Sequence, residues 1–544
     1  MKTKTTLALA LLIAAFTSCN KENEAVGPGN PNHDLAYVSI TVRTPSVKPT
    51  RASSEETATP TENALQTLYA ITFDSANEII CFDDAAVSVK GLVTNGSVTE
   101  QEPDPFKVPA SAKKLLLIAN PGPKLLAVLN GATKGMPFST LNHAIGSVAD
   151  PVANTDISGT NGFTMINVGA TVDSDTDTSD PATLCLVDIS ANIQVVGDET
   201  GQHATEQEAI DAAEQDRVTM QIERLTSKVV VGSSITDGVA DATKVLPVNQ
   251  AIFTFKGWVL DGINSIFYPW AKRVKLASAP SNPSFYTNNF YTIDPNYTNN
   301  TGILYRSVES DYTPDVTFLA KAATEYALEN TMQSPEQKFK NATRITIQAE
   351  YYYDQAWKTD DADLDWFSYA GINYKNFADL LAAYSDQVNP KPNLVAACDK
   401  FYLKVKAYAD DNGITPFPVD FESLTTADLN KIKVGTTPIG GEVVKEEGCV
   451  RWYQAGLCYY WYEIRHDDAN TGVMEFAKYG IVRNNYYNLT LDKVKGPGTP
   501  WFPDIVKPGP GDPDPENPID EQEGYIGVTV EIGPWVKWSH SFEV

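Results

Sequence analysis

The residues closest to forming a chemical site are acidic. Asp173-Ser174-Asp175-Thr176-Asp177-Thr178-Ser179-Asp180 places oxygen ligands at alternate positions, as a calcium loop does. It lacks the glycine wanted at the sixth position, where Thr178 stands, and Leu184 stands where a bidentate Glu should close the shell. It therefore reads as a solvated acidic loop. His466-Asp467-Asp468 offers three ligating side chains in a row, but zinc needs three or four and no second His lies near in sequence, so a turn is the reading. No GxSxG, HExxH, P-loop or dinucleotide-binding GxGxxG occurs, and no carboxylate pair for glycoside hydrolysis is indicated. The expectation is a protein that is not an enzyme, without catalytic residues, cofactor or metal. Tyr351-Tyr352-Tyr353 and Tyr459-Tyr460-Trp461-Tyr462 offer faces on which sugar rings stack, although along a strand alternate members must point into the core.

Two other positions carry covalent chemistry. Lys2 and Lys4 precede an apolar run from Leu7 to Phe16, and Thr17-Ser18-Cys19 follows, the pattern of a secretory signal. A thiol at its end suits a lipoprotein peptidase, which needs a Cys to carry diacylglycerol, so Cys19 is the expected lipidated residue. Further on, Thr44 to Asn63 is rich in Thr, Ser, Pro and Glu and reads as an exposed loop; it contains Arg51-Ala52, a bond open to proteolysis. No later segment reaches the ~18–20 apolar residues that a spanning helix needs, so the lipid is the expected membrane attachment. Cys81, Cys185, Cys398, Cys449 and Cys458 are odd in number and scattered, which implies no disulfide framework. Cys449 and Cys458 face each other across a possible hairpin, with two buried free thiols as the preferred state.

The elements around these positions are β-rich. With 544 residues, two to four domains are expected, and 42% apolar with 20% charged residues marks a globular chain. The net charge of −27 disfavours nucleic acid and anionic membrane surfaces. Residues 20–34 read as a tether. Leu35 to Val42 alternates, with Ala36, Val38, Ile40 and Val42 on one face and Tyr37, Ser39 and Thr41 on the other, the period of a half-buried strand. Short strands separated by turns run to about residue 200 and argue for a β-sandwich. Ala204 to Asp216 reads as a helical connector, and a second β-rich segment runs to Val506 with a helical insertion near Asp360 to Gln387. Pro508 to Glu523, PGPGDPDPENPIDEQE, reads as an extended Pro/Asp linker. Gly524 to Ile532 is again a strictly alternating strand. The expected division is a signal peptide over 1–19, a propeptide with the first strand over 20–51, sandwich domains over 52–215 and 216–506, a linker over 507–523 and a donor strand over 524–544.

The two terminal strands nearly repeat each other. Tyr37-Val38-Ser39-Ile40-Thr41-Val42 and Tyr525-Ile526-Gly527-Val528-Thr529-Val530 share Tyr first, Thr fifth, a small residue third and branched aliphatics at the even positions. Each can therefore fill the same groove in the same register. Because Arg51 follows the first copy, cleavage there frees a strand and opens a groove, which the second copy from another subunit can complete by β-augmentation. Burying Ile526, Val528, Val530 and Ile532 is worth roughly 6–12 kcal/mol at about 1.5–3 each, as much as a domain's net stability. Donor and groove are different surfaces, so the contact is head-to-tail and builds open filaments.

These features resemble the fimbrillins, stalk subunits of the type V pili of Bacteroidales, and most closely the major subunits of the minor, Mfa-type, fimbria. The resemblance rests on the signal ending in Cys19, the strand before Arg51, Ile222-Glu223-Arg224-Leu225-Thr226-Ser227-Lys228-Val229, Val482-Arg483-Asn484-Asn485-Tyr486-Tyr487, the Pro/Asp segment, and Val528-Thr529-Val530-Glu531-Ile532-Gly533-Pro534-Trp535. It implies an all-β chain with small helical insertions, two transthyretin-like β-sandwich domains in tandem. It further implies an outer-membrane lipoprotein precursor cut by an Arg-specific surface protease, after Arg51 with Arg43 as the competing site. Val38, Ile40 and Val42 then mark the removable strand. A homopolymer follows, built through Ile526, Val528, Val530 and Ile532 with Trp535 and Trp538 locking the end, and completed by accessory tip and anchor subunits of an adhesive fimbrium. The alternatives are an uncut surface lipoprotein that binds glycans, and a tip or anchor subunit of the same pilus.

Overall fold

The computed structural model describes residues 34–44, 59–94, 100–153, 156–159, 162–197, 199–247, 250–277, 290–358, 364–467, 472–521 and 526–533. Two sandwich-like layers of sheet follow one another along the chain. The strands that matter to the argument are β1 (Leu35–Val38), β2 (Ile40–Arg43), β3 (Leu68–Phe73), β4 (Phe106–Pro109), β5 (Lys114–Ala119), β6 (Met165–Asn167), β7 (Val218–Arg224), β8 (Thr226–Ser233), β9 (Ile252–Asp261), β10 (Thr324–Leu328), β11 (Arg344–Tyr352), β12 (Leu457–Glu463), β13 (Tyr486–Val494) and β14 (Ile526–Gly533). The helices used below are α1 (Pro60–Asn63), α2 (Glu206–Gln215), α3 (Phe377–Tyr384) and α4 (Pro392–Asp411).

The large sheet of the first sandwich runs β3-β5-β6-β7-β2, and the short strand Glu100–Gln101 lies beyond β2. Facing it, β1 sits between β4 and Gln194–Val195. Between the two lies one core that includes Leu68, Ala70, Leu115, Leu117, Met165, Met220 and Ile222. In the second sandwich β10-β8-β13-β14 faces β9-β11-β12, and Val229, Val231, Trp258, Ile347, Tyr460, Leu489 and Leu491 meet between them. Alternation predicts this, since each strand gives every second side chain to the space between sheets.

Three expectations need correction. The boundary set at 215/216 falls one strand early, because β7 pairs with β2 and β6 in the first sheet and the chain enters the second only after Leu225. The insertion is larger than 360–387. α3 and α4 belong to a separate core with Phe401, Leu429, Val443 and Trp452, carried on a small sheet of Trp366–Tyr369, Ile372–Tyr374 and Arg451–Tyr453. The helix read as a connector is instead a cover. Ala209 and Ala213 of α2 are wholly buried against Tyr37 and Val196, because alanines at i and i+4 let the helix approach the sheet closely.

The Pro/Asp segment also departs from the extended spacer expected. Asp512 accepts from Gly509 N at 2.6 Å and from Trp501 Nε1 at 3.0 Å, so the segment turns on its own aspartate. Lys340 N donates to Pro515 O at 3.1 Å, Glu516 pairs with Lys340, and Ile519 N donates to Gln337 O at 3.0 Å. Asp520 holds Lys478 at 2.7 Å and accepts from Tyr479 Oη at 2.7 Å. The segment thus lies along the second sandwich as far as Glu521. Among the described residues, no helix is long and apolar enough to cross a membrane.

Candidate functional site

The alternating segment 35–43 is built into the first sandwich as two strands rather than one. β1 runs antiparallel to β4, pairing Ala36 with Val108 and Val38 with Phe106. At Ser39 the chain changes sheets, and β2 continues parallel to β7, with Ile40 beside Val218 and Val42 beside Met220. Ala36, Val38, Ile40 and Val42 are all 0% exposed. The other face was expected in water and is not: Tyr37, Ser39 and Thr41 are buried too. Tyr37 lies under α2, where its hydroxyl donates to Glu206 Oε2 at 2.8 Å. The Lys107 ammonium stands 5.8 Å from the ring centroid and 3.5 Å from Glu206. Lys107 and Tyr37 together hold the Glu206 carboxyl below the usual range, the tyrosine hydrogen bond being the larger cause. Arg43 closes the strand as an exposed residue whose Nε lies 2.6 Å from Glu100. Cys19, Arg51 and Ala52 lie outside the described residues.

The other alternating segment occupies a different kind of place. β14 pairs antiparallel with β13, Ile526 opposite Val494, Val528 opposite Leu491, Val530 opposite Leu489 and Ile532 opposite Tyr487. Its ladder is interrupted at Asp492, beside Gly527. Among the described residues β13 is its one neighbour in the sheet order, so β14 is an edge strand there. Trp535 and Trp538 fall outside the described residues. The first segment is therefore locked between strands, while the second holds one edge of its own subunit.

A polar junction ties the sandwiches together, and sequence motifs alone did not reveal it. Glu62 of α1 receives Lys228 at 2.9 Å and the Tyr326 hydroxyl at 2.7 Å, both from the second sandwich. Arg224 donates through Nε to Glu62 O at 2.9 Å and through Nη1 to Asn484 Oδ1 at 3.2 Å. Asn484 N in turn donates to Thr226 O at 2.7 Å. The two motifs quoted separately from the sequence, 222–229 and 482–487, are thus one structure. The earlier signal was only their charged and amide residues inside apolar strands.

The acidic loop and the lone histidine both have internal partners. Lys272 Nζ donates to the backbone carbonyls of Asp175 and Asp177 at 2.9 and 2.8 Å, while Tyr297 Oη donates to the Asp175 carboxylate at 2.5 Å and Ser179 N to that of Asp177 at 2.7 Å, so the loop is tied to the protein's own donors. Among the described residues no group of three or more His, Cys, Asp or Glu could hold a metal. His466 is buried; Nε2 lies 2.9 Å from Phe290 O and must donate to it, which leaves Nδ1 to accept from Tyr487 Oη at 2.8 Å. Burial pulls its pKa down to about 4. The unfolded chain takes up a proton near pH 6.5 and the folded one only near 4, so this contribution to stability is complete above 6.5 and fades as pH falls towards 4. The expected loss is about 3 kcal/mol over that window. Glu442, raised by burial to about 7, acts in the opposite sense, stabilising below its unfolded value and fading as pH rises to 7. Urea midpoints of wild type and His466→Gln between pH 4 and 6.5 isolate the histidine, since Glu442 is common to both. The variant is expected to show the shallower acid loss, and equal slopes would refute the assignment.

The aromatic runs are core. Tyr351, Tyr352, Tyr459, Tyr460 and Trp461 are buried because both faces of the β9-β11-β12 sheet are covered: Tyr460 packs on Phe253, and Tyr459 on Phe318 and Phe502. The five cysteines from Cys81 to Cys458 are buried free thiols.

Comparison with known proteins gives the following. The family model described as "Major fimbrial subunit protein (FimA)" matches residues 36–221, and that described as "Major fimbrial subunit protein type IV, Fimbrillin, C-terminal" matches 451–541. No curated protein matches. Similar solved structures include a fimbrilin from Porphyromonas gingivalis W83, 14% identical with a TM-score of 0.37, covering 92% of this chain and 99% of that one. Another is a putative cell adhesion protein from Parabacteroides distasonis, 11% identical with a TM-score of 0.38, covering 93% and 100%. The tip fimbrial protein Mfa3 of P. gingivalis is 11% identical with a TM-score of 0.31, covering 85% and 95%. The first match covers the sandwich that holds the buried strand and the second includes β12, β13 and β14, in the chain order of a single subunit; the chain belongs to the fimbrillin family of fimbrial subunits.

Proposed function

We propose that this chain is the stalk subunit of a fimbria, exported as a lipoprotein on Cys19 and cut after Arg51 by an Arg-specific surface protease. Residues 35–43 then leave with the lipidated segment, and the C-terminal strand of another copy enters the vacated groove. The polymer grows head to tail, completed by tip and anchor subunits. One observation carries this reading. The strand upstream of Arg51 supplies Ala36, Val38, Ile40 and Val42 to the centre of the first core, while the segment that repeats its pattern holds only a sheet edge. A groove so apolar cannot stay open in water, and an edge strand is the element that can be withdrawn with least disruption. Arg43 is exposed at the end of β2, and a cut there releases the same strand.

Limited digestion of the unlipidated precursor with an Arg-specific protease, read by terminal sequencing and an unheated gel, tests it. The expected result is a new terminus at Ala52 and a ladder of multimers that a deletion of 524–544 abolishes. A product that is cut yet stays monomeric would overturn the polymer reading, and a folded precursor that resists cutting would favour a permanently anchored, glycan-binding lipoprotein.

A further inference from the structure

Aliphatic patterning cannot by itself fix where a donor strand stops in the groove. Ile526, Val528, Val530 and Ile532 are all branched, so a slip of two residues still points branched side chains into the core. Register must come from the other face. That face presents three positions, now filled by Tyr37, Ser39 and Thr41, and each is restrictive. The first is a socket made by Ala209 and Ala213 of α2, by Lys107 and by Glu206, which accepts the Tyr37 hydroxyl at 2.8 Å. The second lies where the chain passes from one sheet to the other; Ser39 is wholly buried there and its hydroxyl meets no hydrogen-bond partner among the described residues. The third, at Thr41, is 6% exposed.

We infer that the vacated groove reads the C-terminal strand of a second copy at two positions, Tyr525 in the Lys107–Glu206 socket and Gly527 at the sheet crossing, and so sets a single register. This rests on the strand-exchange reading above. The sequence admits no neighbouring solution. A slip one way puts Gly527 in the socket, Thr529 at the crossing and Glu531 in the buried third position. A slip the other way sets Glu523 beside Glu206 and forces the Tyr525 ring into the crossing. Only the matched register fills the socket with a phenol, and it also replaces the unpartnered Ser39 hydroxyl with a glycine. A glycine suits a strand that bends between sheets. Gly527 already lies beside a ladder irregularity on β13, so the same residue tolerates the break in both settings.

Cross-linking of the cut full-length protein tests the register directly. Thr219 lies beside Thr41 across the β7–β2 pair, so T219C with T529C should form an intersubunit disulfide, while T219C with E531C reports the slipped register. In otherwise wild-type protein the 529 link is expected to exceed the 531 link roughly tenfold, the discrimination that one hydrogen bond to a charged group provides. With Y525A and G527V added the ratio should fall towards one, whereas G527S, which restores the residue type found at Ser39, should leave it unchanged. Multimers that cross-link equally through both pairs, or a ratio unmoved by Y525A and G527V, would overturn the two-point reading alone. No multimer with either pair would remove strand exchange itself, and the register with it.

Discussion

A chain cut after Arg51 and lacking residues 522–544 is expected to lose its first sandwich while keeping the second. Val38, Ile40 and Val42 are wholly buried, and withdrawing them forfeits about 1.5–3 kcal/mol each, roughly 5–9 kcal/mol together. The area reference makes this an upper value, but a domain's whole net stability is only about 5–15 kcal/mol. The strand also separates β7 from Glu100–Gln101, which would lose its neighbour. The second sandwich has its own core and a buried Arg344–Asp261 pair; the deletion takes only its edge strand β14 from beside β13 and leaves the facing β9-β11-β12 sheet whole. Hydrogen exchange should therefore show protection lost across β3, β5, β6 and β7 and retained across β9, β11 and β12. Adding a peptide of residues 34–44 should restore protection in proportion to its concentration, as any ligand of the folded state does. Retention of a cooperative melt by the first sandwich after the cut, without peptide, would show that the strand is no part of its core.

Local period was legible from sequence wherever one strand met one core. The even positions from Ala36 to Val42 do face inward, and the aromatic runs that begin at Tyr351 and Tyr459 do fall on strands, β11 and β12. What escaped was cover supplied from far along the chain. Tyr37 looks like an outward residue until α2, 169 residues on, places Glu206 over its hydroxyl. The break at Ser39 escaped for a related reason: a serine in an alternating run carries no mark of a strand that changes sheets. Tyr459 and Tyr460 were ambiguous between core and platform, and a second covered face decided it. The Pro/Asp segment looked free because composition says only that it cannot be helix or central strand. Its aspartates meet Lys478, Trp501 and Tyr479, partners that no local pattern names. Lys272 closes the acidic loop from 95 residues away or more. The candidate strands were thus readable, and the groove that receives them was not.

Arg483→Met is expected to destabilise the folded chain by about 3–5 kcal/mol, the usual consequence of leaving one buried charge without its partner. Arg483 and Glu329 are 1% and 0% exposed. The guanidinium donates through Nε to Glu329 at 2.9 Å, pairs through Nη2 with the same carboxylate, and reaches Pro269 O and Tyr268 O at 2.8 Å each. Asp294 stands close by, and burial together with the Glu329 charge drives its pKa well above the usual range. Without Arg483 the Glu329 carboxylate stays in a dry site that also holds Asp294, with no cation to offset it, and two carbonyls lose a donor. The effect is therefore larger than for the Lys406–Asp410 pair on α4, which is 38% and 56% exposed and is worth at most about 1 kcal/mol. Replacing both members, Arg483→Met with Glu329→Leu, removes the uncompensated charge along with the pair, so the double variant should be less damaged than Arg483→Met alone. Urea unfolding of the four proteins gives the coupling. A loss below about 1 kcal/mol for the single variant, or simple additivity in the double, would refute it. The position gives the pair mechanical meaning in the proposed filament. Tyr268 and Pro269 lead into Trp270, which packs on Phe138 in the first sandwich, while Arg483 itself precedes β13, where the C-terminal strand is held. Tension passed from one subunit's groove to its own C-terminal strand must cross this junction, so a buried ion pair with four hydrogen bonds stands where a stalk subunit can least accommodate a hinge.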